Sequence, residues 1–295
     1  MELRQLRYFA AAARHAHFTR AAEELGIAQP ALSQAIASLE RELGVRLLER
    51  TNRRVSLTPA GSAFLTRASR IVAEVETAAQ EMSAYAGGLR GRVVLGTNQS
   101  LAEYTLPKIL GRFHARYPGV EVALRESLAP EMIAGLRDAT MDLAIGDMGE
   151  TGAGALRDMR FEKLYTDELA IAVATNHPLA ERKRVEIAEL RAEPFIVFRP
   201  GSALTRTLHR LTREAGFDPR VAFESSDSIT VRALVAEGLG VTLFPRSIAR
   251  PAGPKIAMLS LRPKLVRTIS LVRRKVSHGP AVSMFVDFVR DQLLE

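Results

Sequence analysis

From residue 61 to residue 86 the chain contains no Pro and, after Gly61, no Gly. An unbroken helix of that length spans roughly 39 Å at about 1.5 Å per residue. Its apolar positions Phe64, Ala68, Ile71, Val75, Ala78 and Met82 alternate spacings of four and three. That is the 3.5-residue period of a coiled-coil seam, narrower than the stripe of a helix lying on a core. A helix this long needs support along its whole extent, so the seam predicts homodimerisation through these six residues. A long amphipathic helix resting on its own domain is the plainer alternative. Thr58 and Pro59 open the helix as N-cap and first helical residue, and Gly87-Gly88-Leu89-Arg90-Gly91 reads as a hinge behind it. The chain thus divides into a front segment 1–60, a linker helix 61–86, a hinge 87–91 and a remainder 92–295.

The front segment reads as helix after helix. Leu3, Leu6, Phe9 and Ala13 form one apolar face. Phe18 to Leu25 is a second, short helix stopped by Gly26. A third runs from Gln29 to Leu43, with Leu32, Ile36 and Leu39 on its inner face, Pro30 in its first turn and Gly44 at its end. Ala21 and Ala22 are small enough for two helices to cross closely, and Gly26 tolerates the positive φ of a tight turn. These are the requirements of a helix-turn-helix. The exposed start of the third helix offers Gln29, Pro30, Ser33 and Gln34, whose amides and hydroxyl suit base edges in a major groove. Thr19 and Arg20 open the second helix, where a hydroxyl and free backbone N–H groups can hold a phosphate. Segments 45–50 and 54–58 flank Thr51-Asn52-Arg53 as a hairpin. Arg50, Arg53 and Arg54 sit at its tip, placed for phosphates or a narrow minor groove. Singly, each residue is at home on a solvated surface; jointly they predict a winged helix-turn-helix over residues 1–58, with double-stranded DNA as partner.

Bulk charge adds little to that reading. The formal net charge is +8, yet residues 1–60 carry only +3 of it. The absence of Cys is more informative, because it excludes disulfides, thiolate metal sites, a Cys nucleophile and thiol-based redox sensing. The six His residues show no metal-ligand spacing, and no phosphate-binding loop or nucleophile elbow occurs. Gly149, Gly152 and Gly154 lack the strand-to-helix context of a dinucleotide fingerprint. Neither an enzyme activity nor a cofactor or metal is expected. No apolar run reaches about 18 residues, so no membrane span is expected, and no secretory signal is visible at the start. The expected location is the cytoplasm.

Beyond the hinge, strands are expected over 92–96, 120–126, 143–146, 168–174, 195–198, 221–224, 241–244 and 268–273. Helices fit 100–116, 129–138, 203–215, 227–236 and 281–294. This alternation predicts βαβ units and open, largely parallel sheets. Two such lobes place a ligand between them, outside the carboxyl ends of strands. Thr97, Asn98, Gln99 and Ser100 follow the first strand, Ser127 the second, and Arg199 and Ser202 follow Phe198. Helix N-termini with nearby hydroxyls suit a carboxylate, so a small organic anion is the expected effector. Ser100 and Ser202 also fit as simple helix caps, and Phe198, Ile145 and Leu243 as core.

The chain resembles the LysR-type transcriptional regulators. The resemblance rests on Leu3-Arg4-Gln5-Leu6-Arg7-Tyr8-Phe9, Phe18-Thr19-Arg20-Ala21-Ala22, Gln29-Pro30-Ala31-Leu32-Ser33 and Leu39-Glu40-Arg41-Glu42-Leu43-Gly44. Leu47-Leu48-Glu49-Arg50 and Leu57-Thr58-Pro59-Ala60-Gly61 complete it, in order and without gaps. Looser motifs, Leu106-Pro107, Met141 to Gly146 and Gly238-Leu239-Gly240-Val241, extend it over the whole chain. Two residues depart from the pattern: Ala28 stands where a capping Ser is common, and Gln34 where Arg is frequent. The resemblance implies a mixed α and α/β architecture. Its parts are an N-terminal winged helix-turn-helix, a long linker helix, and a two-lobed α/β effector domain like a periplasmic binding protein. Lobe I would take residues 92–163 and 267–295, and lobe II residues 164–266. It also implies promoter binding, an effector that touches Ser100 between the lobes, dimers through the linker, homotetramers on DNA, and room for a contact with RNA polymerase. The rival reading is a cytoplasmic small-molecule-binding protein whose helical front serves only dimerisation. The Arg-bearing wing and the Gln29/Ser33 face separate the two, since dimerisation needs neither.

Overall fold

Helix α1 (Leu3–His15) is followed by α2 (Phe18–Leu25) and α3 (Gln29–Leu43) in the computed structural model of the protein. The structure describes residues 1–50, 55–85, 90–149, 157–249, 253–276 and 278–293. Gly26 (φ 65°) ends α2 and Gly44 (φ 68°) ends α3, both left-handed as their positions require. Leu6, Phe9, Ala12, Ala21, Leu32, Ile36 and Leu39 close into one apolar core. Strands β1 (Leu48–Arg50) and β2 (Val55–Leu57) pair antiparallel as the stem of the wing. The hairpin tip, with Arg53 and Arg54, lies outside the described residues, as do most of the 87–91 hinge and Gly152 and Gly154.

The linker is α4 (Pro59–Tyr85). Thr58 Oγ1 accepts a 2.8 Å bond from the Gly61 amide and caps it, as its sequence position predicts. Gly61 is obligatory there: a Cβ would sit 1.9 Å from the Leu47 carbonyl oxygen.

The six-residue seam does not survive intact. Phe64 packs 5.5 Å from Phe9, and Ala68 is fully buried in the front core. Both are used within the chain, because the first turns of α4 lie against α1. From Ile71 onward the seam faces outward, with Ile71, Val75 and Met82 being 44 %, 40 % and 61 % exposed and Ala78 exposed beside them. Between those halves α4 leans on the next domain. Thr66 Oγ1 donates to Asp138 at 2.7 Å, and Arg70 Nε donates to the Arg137 carbonyl at 3.0 Å.

The remaining elements are β3 (Gly91–Thr97), α5 (Gln99–Tyr104), α6 (Leu106–Arg116), β4 (Val120–Glu126), α7 (Ala129–Arg137) and β5 (Leu143–Asp147). Next come β6 (Met159–Ala174), β7 (Arg184–Val185), β8 (Pro194–Phe198), α8 (Ala203–Glu214), β9 (Arg220–Ser225) and α9 (Ser228–Ala236). The last are β10 (Thr242–Pro245), α10 (Arg246–Ala249), β11 (Ile256–Arg274) and α11 (Pro280–Leu293). The sheets are not the largely parallel ones expected. A seven-stranded sheet runs in the order β10-β6-β11-β5-β3-β4, with β7 added on β11. The strands β3, β4 and β5 are mutually parallel, but β6 and β11 pair antiparallel over almost their whole length.

The strands expected over 168–174 and 268–273 are parts of these two long ones, and the apolar run Ile256-Ala257-Met258-Leu259 opens β11 as well. The missed halves carry Arg160, Glu162, Lys163, Asp167 and Arg267, which resemble a loop until their partners are in place. Those partners pair Glu162 with Arg290, Asp167 with Arg267 and Glu168 with Arg246. The helix expected over 100–116 also breaks, at Thr105, ahead of Pro107, which lacks an N–H for a preceding turn.

Three further cores result, the smallest of them under α7 around Met132, Leu136 and Met141. Phe113, Phe285 and Phe288 anchor the first, their rings 4.9 and 5.4 Å from Phe113. Phe195, Phe198, Phe244 and Val231 anchor the second.

Candidate DNA-reading surface and effector cleft

The front surface is built on α3. Leu32, Ile36 and Leu39 are fully buried, so the opposite side of the helix must face out. Gln29, Pro30 and Gln34 are exposed there, with Ser33 half-buried beside them. Ala28 caps the helix without a side-chain bond. Thr19 and Arg20 are exposed in the first turn of α2. Arg50 ends β1; its side chain lies outside the described set.

Two carboxylates that the sequence pattern did not single out hold this surface in shape. Glu40 Oε1 accepts from the Leu47 and Leu48 amides at 2.8 and 3.0 Å and pins the wing to α3. Glu24 takes Arg14 and His15, tying α2 to α1. The His15 bond, with Arg14 adding, holds the Glu24 carboxyl below the usual carboxylate range.

The second site is a cavity of about 280 Å³ between the lobes. Asn98, Gln99, Ser100, Ser127, Phe198, Arg199 and Ser202 line it. Thr97 does not: it is fully buried and its hydroxyl donates to the Ile145 carbonyl at 2.9 Å, so it serves the sheet. Ile145 and Leu243 are core behind the wall. Asn98 Oδ1 accepts from the Asp147 amide at 2.7 Å, stitching the end of β5 to the start of α5. A Cβ on Gly146 would meet that oxygen at 2.3 Å, so the contact requires glycine. Ser202 is the N-cap residue of α8 but makes no capping bond with its side chain.

The residue that sequence reading missed is Arg267. It sits in the polar half of β11, only 6 % exposed, and its guanidinium lines the cavity. Nε and Nη2 donate to Asp167 Oδ2 at 3.2 and 2.9 Å, and Nη1 reaches Ser100 Oγ at 3.3 Å. Ser247 Oγ adds a 2.6 Å bond to the same Asp167 oxygen. The network thus joins β6, β11, α10 and α5, two of which extend through both lobes. An Arg immediately before the strand expected over 268–273 was the available signal, and it is a weak one. Next to the cavity Glu103 bonds Ser228, another lining residue. Burial holds the Glu103 carboxyl above its ordinary value. No helix among the described residues is long and apolar enough to cross a membrane, and no cluster there suits a metal.

Comparisons with known proteins address both halves. Residues 3–62 match the family model of the bacterial regulatory helix-turn-helix protein of the lysR family, and residues 86–294 match the LysR substrate binding domain. The transcriptional dual regulator GltC of Bacillus subtilis is 35 % identical over 292 residues, covering 98 % of this chain and 96 % of its own. A hydrogen peroxide-inducible genes activator of Dickeya chrysanthemi is 32 % identical over 278 residues, covering 93 % and 90 %. Full-length CbnR, solved in complex with its target DNA, aligns with a TM-score of 0.67 at 29 % identity over 99 % of both chains. The helical front is therefore more than a dimerisation device, and the chain belongs to the LysR family of DNA-binding transcriptional regulators that respond to a small-molecule effector.

Proposed function

We propose that the surface formed by Thr19, Arg20, Gln29, Pro30, Ser33, Gln34 and the wing arginines Arg50, Arg53 and Arg54 reads operator DNA. The observation that carries this is the polar, outward face of α3 on a helix whose other side is fully buried. In this reading Gln29, Ser33 and Gln34 meet base edges, while Arg20, Thr19 and the wing meet phosphates. The effector is a carboxylate held in the interlobe cavity by Asn98, Gln99, Ser100, Ser127, Arg199 and Ser202, with Phe198 against its apolar part. The functional units are a reader over 1–60, a linker over 61–86 and a sensor over 92–295. Dimerisation uses the outward residues Ile71, Val75, Ala78 and Met82, and tetramers form on the promoter. The protein acts in the cytoplasm, where its DNA is, and performs no catalysis. With no Cys in the chain, thiol oxidation is not its signal.

The test is footprinting on the DNA upstream of its own gene, combined with two substitutions. Arg20→Ala should weaken binding alike on all sequences and flatten its salt dependence by about one phosphate contact. Gln29→Ala should cost about 1–3 kcal/mol on the operator and little on unrelated DNA. Equal losses on unrelated DNA for both would overturn the assignment of roles.

A further inference from the structure

The charges around the interlobe cavity do not form an anion trap. Arg199 and Arg267 line it, but so do Glu126 and Asp147. Arg267 is moreover already paired with the buried Asp167, which leaves the wall with carboxylates in excess. Glu126 and Asp147 close the carboxyl ends of β4 and β5, the two parallel neighbours of β3. That is the edge of an α/β sheet at which ligands are met. Glu126 is exposed and has no ion-pair partner among the described residues. Asp147 Oδ1 accepts from the Gly149 amide at 2.8 Å, and Oδ2 has no protein donor among the described residues. Ser100 follows β3, which lies between β4 and β5, and so stands on this same side; Arg199 and Ser202 reach the cavity from the other lobe, between β8 and α8.

A ligand that is only an anion meets repulsion from one side of this cavity. A ligand that is only a cation leaves Arg199 and the Ser100–Arg267 contact unanswered. We infer that the effector carries both charges on one small skeleton, a carboxylate toward Arg199 and Ser202 and an ammonium toward Asp147 and Glu126: an amino acid or a near relative. This rests on reading the interlobe cavity as the effector site. Size agrees, since about 280 Å³ is room for roughly nine waters at about 30 Å³ each, hence a ligand of about ten non-hydrogen atoms.

Titration calorimetry and thermal shift on the full-length protein test the inference, with three matched probe sets: the proteinogenic L-amino acids, the same skeletons lacking the amine, and the same skeletons lacking the carboxylate. At least one amino acid should bind and raise Tm, with both truncated analogues weaker by about tenfold or more. Asp147→Asn or Glu126→Gln should erase the preference for the amine while leaving the fold intact, which circular dichroism checks. A des-amino carboxylate that binds as tightly as its parent overturns the zwitterion and leaves the carboxylate reading standing. The absence of any amino-acid binding also overturns it. Binding that persists undiminished in Ser226→Trp, a bulky change on the cavity wall, overturns the cavity itself as the site.

Discussion

Among the described residues of the reader, buried side chains are apolar apart from Gln5 and no charged group is buried; in the sensor, Asp167 and Arg267 are 8 % and 6 % exposed and cross between strands that serve both lobes. The two halves thus solve recognition in opposite ways. A DNA duplex is large and arrives from outside, so the reader needs only a rigid apolar platform under polar groups. A small effector is enclosed, so the sensor must bring charge inside, where each unpaired group is costly. The reader can lose a surface group without losing its fold. The sensor cannot lose one partner of its central pair so cheaply.

The contrast is sharpest at Arg267. Arg267→Leu should leave Asp167 buried without its counter-ion and destabilise the protein by about 3–5 kcal/mol in urea titrations. The double change Arg267→Met with Asp167→Leu should recover most of that loss while abolishing the effector-induced Tm shift. A single variant costing less than about 1 kcal/mol would erase the distinction between the two regions.

In the reader the matching experiment removes apolar volume. Leu32→Ala should cost about 3 kcal/mol and abolish operator retention in gel shifts. Effector binding by calorimetry should survive, because Leu32 belongs to a core that ends at the linker.

The smallest effect concerns an outer pair of the sensor. Arg290 donates to both Glu162 oxygens at 2.6 Å, and these bonds hold the Glu162 carboxyl below its ordinary value of 4.5. A carboxylate held low stabilises the fold above that value, and the contribution fades as pH falls below it. Glu162→Gln should therefore cost about 0.5–1 kcal/mol near pH 7, the pair being about a quarter exposed. The difference from the unaltered protein should shrink as pH falls below 4.5. A constant difference across that range would assign the role of Glu162 to packing instead of charge.

These contrasts also govern what could be read from the chain. The helices of the reader follow from local signals: Gly26 and Gly44 in left-handed turns, Thr58 as a cap, apolar residues at helical spacing. Seven of the cavity-lining residues follow from strand ends and helix starts. What stayed hidden depends on long-range pairing. Arg267 and Asp167 lie 100 positions apart and look like loop residues until they meet. The coiled-coil seam misled in its first half for a similar reason, since periodicity tells which residues face one way but not which neighbour they face. Phe64 and Ala68 face the chain's own α1.

The crossing pair of β6 and β11 has one further consequence. Lobes joined by loops can reorient freely, whereas these are joined by an antiparallel ribbon within one sheet whose side chains enter the cores on both sides, Leu164 and Ile269 in one and Leu169 and Leu259 in the other. Closure around a ligand must then twist the ribbon, and the pairing slips register at two places, between Ser260 and Leu265 and between Ile269 and Ser270, where the ladder is weakest. Arg267 lies between them. A twist of the ribbon there would carry with it the buried Asp167–Arg267 pair and the stretch of cavity wall that Arg267 forms, so that strain at the cavity and strain between the lobes are one elastic deformation.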